Sequence, residues 1–362
     1  MRHLAFALIV SSALAAVPAS ANDSIAELGT GGLQLARTDA IAMQKEELSI
    51  SEEAVSVDYV FRNVSDADVE TLVAFPMPDI GSSPYDMPMI PYDTHDDFLG
   101  FEVWVDGEPV KPQLEQRAFA VDVEVTAALK ANNIPLYPYK DETYAALAKL
   151  PQKMADDFRA RGIIVIDRYD DGSGWKSVRS PFWTLKSTYW WKSRFPVGKD
   201  VAVSHRYTPS VGASVGLTFF SQGRMQGEAY AAYKRKYCMD SAFERAILKA
   251  AKESPDGYPQ LYEKRISYVL TTGGNWASGT IDEFKLTVDK GEPGDLVSFC
   301  GKGVRKTSPT TFEMTARDFN PDRDIDILIV KSWDQARGGA LSGSRPERRT
   351  ISTVCFGVSC AR

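Results

Sequence analysis

Gly212-Ala213-Ser214-Val215-Gly216 fits the Gly-x-Ser-x-Gly pattern of a nucleophile elbow, in which a sharp strand-to-helix turn presents a serine hydroxyl for acyl transfer. In the α/β-hydrolase order an acid and then a histidine follow that serine. Here the histidines of the mature chain, His95 and His205, both precede Ser214, and residues 217–220 read as strand rather than helix. Ser214 and His205 are therefore weak catalytic candidates, and a small-residue loop after a strand is the simpler reading of the motif. His205 is in phase with Val201, Val203 and Tyr207, so it shares their sheet face. A hydrogen-bonded histidine in a β core or at its rim is expected there in preference to a general base.

Two histidines are too few for a His-rich zinc site, and His95-Asp96-Asp97 reads by default as a solvated loop that could hold a cation. Asp318, Asn320, Asp322 and Asp324 place oxygens at alternate positions, as the first half of a calcium loop does. The sixth position, glycine in such a loop, is Arg323, and the twelfth, a bidentate glutamate, is Ile329. An acidic turn entering an apolar strand is simpler, and no metal or other cofactor is expected. Trp183, Trp190 and Trp191, with Phe182, Tyr189 and Phe195 around them, could form a stacking platform for sugars or bases; packing between elements is the competing reading. Gly29-Thr30-Gly31-Gly32 lacks a preceding strand and makes a poor phosphate loop.

The elements that must position these residues are mostly strands. Val55, Val57, Tyr59 and Phe61 alternate with less apolar positions, a polar turn spans 63–68, and Val69, Thr71, Val73 and Phe75 alternate again before Pro76 and Pro78. Period two on both sides of a turn predicts an antiparallel hairpin with one buried face. Phe101, Val103 and Val105, the Asp106-Gly107 turn and Val110 predict a second hairpin. From 121 to 161 the period changes, with Pro151 between helical stretches and Gly162 placed to end the last one. Strand is expected again at 163–166, a loop at 167–174 and strand at 201–207. A helix should open on a Ser241/Glu244 capping box, with Phe243, Ile247, Ala250 and Ala251 on one face. Later runs through Phe284, Phe312 and Ile325 return to period two. The expected fold is mainly β, with antiparallel β-sandwich domains, a helical insertion and one further helix.

Arg2, an apolar run over residues 4–17 and then Ala19-Ser20-Ala21 form the layout of a cleavable secretory signal. The mature chain is expected to begin at Asn22 and to be soluble in the periplasm, or secreted, because no later stretch approaches the roughly 18 apolar residues of a membrane helix. Formal net charge is −6, and loss of Arg2 takes it to about −7 by the same counting. An acidic balance argues against nucleic acid as a partner. Four cysteines, Cys238, Cys300, Cys355 and Cys360, suggest disulfides in an oxidising compartment, with three pairings possible. Cys238 with Cys300 and Cys355 with Cys360 is preferred, the second pair closing a short C-terminal loop. A zinc site is the rival, without a Cys-x-x-Cys or nearby histidine to support it.

The order of several short motifs resembles a bacterial exported family known as domain of unknown function 4424. They are Asn22-Asp23-Ser24 with Gly31-Gly32-Leu33, Val73-Ala74-Phe75-Pro76-Met77-Pro78, Trp191 with Phe195-Pro196, and His205-Arg206-Tyr207-Thr208-Pro209 with Gly212. Tyr237-Cys238-Met239-Asp240, Gly274-Asn275-Trp276 with Phe284 and Leu286, and Ser298-Phe299-Cys300 continue the series. The resemblance covers the mature chain to about residue 330. It implies an exported β-rich protein and supports pairing Cys238 with Cys300, and it brings no catalytic residue with it.

The expected organisation is a signal at 1–21, an N-terminal sandwich domain at 22–230 with its helical insertion at 121–161, a helix-plus-β domain at 231–335 and a flexible tail at 336–362. The leading functional expectation is a non-enzymatic periplasmic protein that binds an envelope protein or glycan through its sandwich surface or inserted helices. A hydrolase using Ser214 and a carbohydrate-binding module using the tryptophans are the alternatives.

Overall fold

Period-two segments become strands with one buried face throughout the chain. In Val55–Asn63 the residues Val55, Val57, Tyr59 and Phe61 are buried, while the side chains between them are not. The structure, a computed structural model, describes residues 23–29, 32–82, 88–89, 97–170, 172–255 and 257–333. It is 48% strand and 19% helical, hence mainly β. The leader 1–21, the start at Asn22, Thr30-Gly31, His95-Asp96, Cys355, Cys360 and the tail 336–362 lie outside the described residues.

Three sheets enclose one core. A six-stranded sheet runs, in spatial order, through Val123–Glu124, Gln113–Ala120, Thr184–Phe195, Val69–Pro76, Ser24–Gly29 and Gly32–Ala36. An eight-stranded sheet runs through Arg305–Lys306, Thr311–Phe319, Ala277–Asp289, Ile41–Ile50, Val55–Asn63, Asp200–Tyr207, Glu102–Val105 and Glu108–Val110. The third has five strands, Leu296–Phe299, Ile325–Ser332, Leu261–Tyr268, Val211–Ser214 and Pro88–Met89. Phe61 and Leu286 of the second sheet meet Phe75 and Trp191 of the first and Tyr268 and Ile327 of the third in one apolar cluster. Burying each such side chain contributes about 1.5–3 kcal/mol.

The expected hairpin between 55–61 and 69–75 does not form. Val55–Asn63 pairs with Ile41–Ile50 and Asp200–Tyr207, whereas Val69–Pro76 pairs with Ser24–Gly29 and Thr184–Phe195 in the other layer. Alternation fixes which face is buried, not which strand lies alongside. The turn at 63–68 carries the chain between sheets, and Asn63 Nδ2 secures it by donating to the carbonyls of Ala67 at 2.8 Å and Phe195 at 2.7 Å. The second hairpin does form, with Asp106 and Gly107 both at positive φ, as a tight two-residue turn demands. Ile41–Ile50 also pairs in parallel with Ala277–Asp289, so strands from both sides of residue 230 share one sheet.

The insertion holds three helices, Thr126–Ala131, Asp141–Lys149 and Gln152–Ala160, which pack Leu129, Leu147 and Phe158 around Trp183. Residues 167–174 are not all loop: 167–170 belong to strand Ile164–Asp170, which pairs antiparallel with Trp175–Pro181. Among the described residues two further α-helices occur where one was expected. Gly227–Tyr237 was not anticipated, because its inward face is carried by Tyr230, Tyr233 and Tyr237 rather than by aliphatic residues. In Ser241–Glu253 the cap is Asp240, whose carboxylate accepts from Phe243 N at 2.7 Å, and not Ser241. Both helices cover the outer face of the five-stranded sheet at Leu328 and Val330. Among the described residues no helix is long and apolar enough to cross a membrane.

Candidate functional site

Leu261–Tyr268 is an inner strand of the five-stranded sheet, and its two faces differ in kind. Ile266 and Tyr268 enter the apolar core, while period two turns Glu263, Arg265 and Ser267 to the other side, under helix Gly227–Tyr237. The neighbouring strand Val211–Ser214 sets Gly212 opposite Arg265 and Ser214 opposite Glu263.

Glu263 is fully buried and saturated with donors. Oε1 accepts from Arg265 Nη1 at 2.6 Å, Tyr233 OH at 2.7 Å and Thr218 Oγ1 at 2.7 Å, and Oε2 accepts from Thr218 N at 3.1 Å. Arg265 Nη1 also donates to Tyr233 OH at 2.9 Å and Ser214 Oγ at 3.0 Å. Burial alone would lower the guanidinium's pKa, but Tyr233 and Glu263 outweigh it and hold Arg265 above its ordinary value. Among the described residues the opposite edge of the guanidinium is nearly unused. Nη2 makes one long bond, 3.5 Å to Ala213 O, and Nε donates to no described residue. Gly212 is what leaves room there, since a Cβ on it would lie 3.3 Å from Nε and 3.5 Å from Nη2.

Arg265 and Gly212 line a cleft of about 260 Å³ at the junction of the sandwich and the third sheet. Its other walls include Met77, Asp79, Leu99, Tyr207 and Lys236. Burial pushes the Asp79 carboxyl above its usual range, opposed by Lys186 at 3.3 Å. Tyr207 is buried, and its hydroxyl has no hydrogen-bond partner among the described residues. Lys236 pairs with Asp326 at 3.3 Å. The helix end that carries Lys236 and Tyr237 is fastened by the Cys238–Cys300 disulfide and by Arg323, which donates to the Lys236 carbonyl at 3.1 Å.

The residues singled out in the sequence are scattered. The Gly-x-Ser-x-Gly segment is no nucleophile elbow: Ser214 ends a strand, is followed by turns rather than a helix, and its Oγ is an acceptor for Arg265. His205 lies on the eight-stranded sheet, wholly buried, with the rings of Tyr59, Phe75, Phe101 and Trp191 centred 5.0–5.5 Å away. Its Nε2 faces Asp23 Oδ2 at 3.5 Å. Burial lowers the imidazole to about 3, and burial together with Glu46 raises Asp23 well above its ordinary value, so burial pushes both members toward their uncharged forms.

Trp183 and Trp191 are 1% and 2% exposed, which removes the stacking platform; Trp183 Nε1 is bound to the Leu136 carbonyl at 2.7 Å beneath the inserted helices, and Trp190 is half-buried. Of the candidate calcium ligands, Asp318 lies in strand Thr311–Phe319 and Asp324 immediately precedes strand Ile325–Ser332. Asp324 Oδ1 already accepts from Leu270 N, Thr271 N and Thr271 Oγ1, and no cluster of three His, Cys, Asp or Glu able to hold a metal exists among the described residues. Asp97, beyond the undescribed His95-Asp96, accepts from Tyr189 OH and Phe101 N. Arg265, Glu263 and Asp79 gave no signal as single letters. The one hint was a strand with charge at alternate positions, Glu263 and Arg265, where a two-sided buried strand would be apolar.

Residues 21–328 match the family described as Domain of unknown function (DUF4424), and the chain belongs to that family. Among solved structures the chain is similar to a "putative nutrient binding protein" from Legionella pneumophila subsp. pneumophila str. Philadelphia 1, at 14% identity and a TM-score of 0.41, over 86% of this chain and 70% of the other. It is also similar to an M1 zinc metallopeptidase from Deinococcus radiodurans, at 10% identity and a TM-score of 0.21, over 81% of this chain and 43% of that one. No curated protein matches the chain. At these levels the structural likenesses carry no functional argument.

Proposed function

We propose that this is an exported, periplasmic, non-enzymatic binding protein that takes a small polar ligand in the Arg265 cleft. The observation that carries the reading is the half-used guanidinium. Arg265 is locked on one edge by a saturated Glu263, and among the described residues its other edge, beside Gly212, carries only a 3.5 Å bond to Ala213 O, in a cleft that Tyr207 also lines. Side chains fixed in this way before a ligand arrives lower the ordering cost of binding. Export is supported by the Ala19-Ser20-Ala21 signal layout and by the Cys238–Cys300 disulfide, which suits an oxidising compartment.

The test is differential scanning fluorimetry of the mature chain against a panel of small acids, amines and sugars, beside esterase, peptidase and glycosidase assays. A saturable rise in Tm that disappears in Arg265→Gln, with flat hydrolase assays, is expected. Hydrolysis abolished by Ser214→Ala would overturn the non-enzymatic reading. N-terminal sequencing of the protein from a periplasmic fraction should return Asn22.

A further inference from the structure

We propose that the ligand of the cleft is a small zwitterion of amino-acid size, its carboxylate held by Arg265 and its ammonium by Asp79; this rests on the reading of the cleft as a ligand site. Among the described residues three formally charged side chains line the cleft, Arg265, Lys236 and Asp79, and they are not equally available. Lys236 is paired with Asp326. Arg265 offers Nε and Nη2, the two parallel N–H groups that match a carboxylate bidentately and that a lysine could not reproduce.

Asp79 stands in the opposite sense. Its counterion Lys186 is not among the cleft-lining residues, lies 3.3 Å away and is itself 41% exposed, too solvated to compensate the carboxylate fully. The upward displacement of the Asp79 carboxyl by burial reports the same shortfall, which an ammonium inside the cleft would make good.

The two charges also exclude the simpler ligands. A carboxylate without an amine would meet Asp79, and an amine without a carboxylate would meet Arg265, so each wall rejects the ligand that suits only the other. Met77 and Leu99 supply an apolar wall for a short carbon skeleton, and about 260 Å³ is smaller than the usual drug-sized pocket.

The experiment is isothermal titration calorimetry of the mature chain with the α-amino acids and, for each, the matched carboxylic acid lacking the amine and the matched amine lacking the carboxylate. At least one amino acid should bind saturably, with both of its single-charge analogues at least about tenfold weaker. Arg265→Gln and Asp79→Asn should each weaken that amino acid by about tenfold or more, while Asp79→Asn improves the amine-free acid. Should Arg265→Gln fail to fold, Gly212→Ala replaces it, since it crowds Nε and Nη2 without removing a hydrogen bond. Amine-free acids that bind as tightly as amino acids, indifferent to Asp79→Asn, overturn the zwitterion and leave the ligand site standing. Amino-acid binding untouched by both Arg265→Gln and Gly212→Ala overturns the site itself. Failure of every amino acid to bind overturns the zwitterion outright.

Discussion

Two fully buried carboxylates, Asp23 and Glu263, each lie beside a nitrogen base, and the protein treats them in opposite ways. Asp23 faces His205 beside a set of aromatic rings, and burial pushes both members toward their uncharged forms. Glu263 receives four hydrogen bonds from Arg265, Tyr233 and Thr218, and its partner is a guanidinium that stays protonated in proteins. The difference teaches that burial alone does not make a functional acid. The sandwich pair is closed on all sides and serves packing, whereas the Glu263 pair holds one member rigid at the edge of a cleft.

The sharpest way to break this contrast is to remove Glu263. Glu263→Ala strands the Arg265 guanidinium, and loss of one partner of a buried pair costs about 3–5 kcal/mol; urea denaturation should show it. Opening the disulfide with Cys238→Ser and Cys300→Ser comes next. The bond spans 62 residues, and its loss should remove about 2–4 kcal/mol. Because it fastens the helix that brings Tyr233 and Lys236, ligand-induced stabilisation should fall as well.

The Asp23 and His205 pair is tested by pH. Unfolded Asp23 ionises near 3.8 and the folded residue only at higher pH, so the folded state binds the extra proton and stability falls as pH rises, by up to about 1.4 kcal/mol per unit. His205 acts in the opposite direction. The unfolded imidazole takes up its proton near 6.5 and the folded one only near 3, so as pH falls between those values up to roughly 5 kcal/mol is lost. Above 3.8 the two slopes oppose each other for as long as folded Asp23 keeps its proton. Asp23→Asn should therefore match the parent near pH 3.5, exceed its stability increasingly above that, and expose the uncancelled histidine slope in denaturation curves from pH 4 to 6.5. The smallest effect belongs to Ser214→Ala. It deletes one of three acceptors of Arg265 Nη1 and should cost about 1 kcal/mol or less, without changing any hydrolase assay.

Much of this was readable beforehand, residue by residue. The phase of His205 with Val201, Val203 and Tyr207 placed it in the core, and the order Ser214 after His205 argued against an elbow. The Asp106-Gly107 hairpin and the polar connection at 320–324 leading into an apolar strand were equally local. Helix Gly227–Tyr237 was hidden because tyrosines carry its inward face, and the tryptophans were ambiguous because an aromatic strand looks alike whether a helical layer covers it or not. The cleft was invisible: Asp79, Tyr207, Lys236 and Arg265 come from distant parts of the chain and meet only across the junction of sheets.

By itself the sequence determined the mainly β class, the family resemblance, the signal layout and which face of most strands is buried, since these depend on composition, motif order and a two-residue period. Only the tertiary structure decided which strands are neighbours, that Asp23 and His205 lie together in the core, and that Gly212 lies opposite Arg265 rather than shaping a catalytic turn. Register and donor supply are properties of the assembled sheets. Asp23 and Glu263 are alike as acids in the sequence, and only their surroundings in the fold separate a packed core pair from the wall of a cleft.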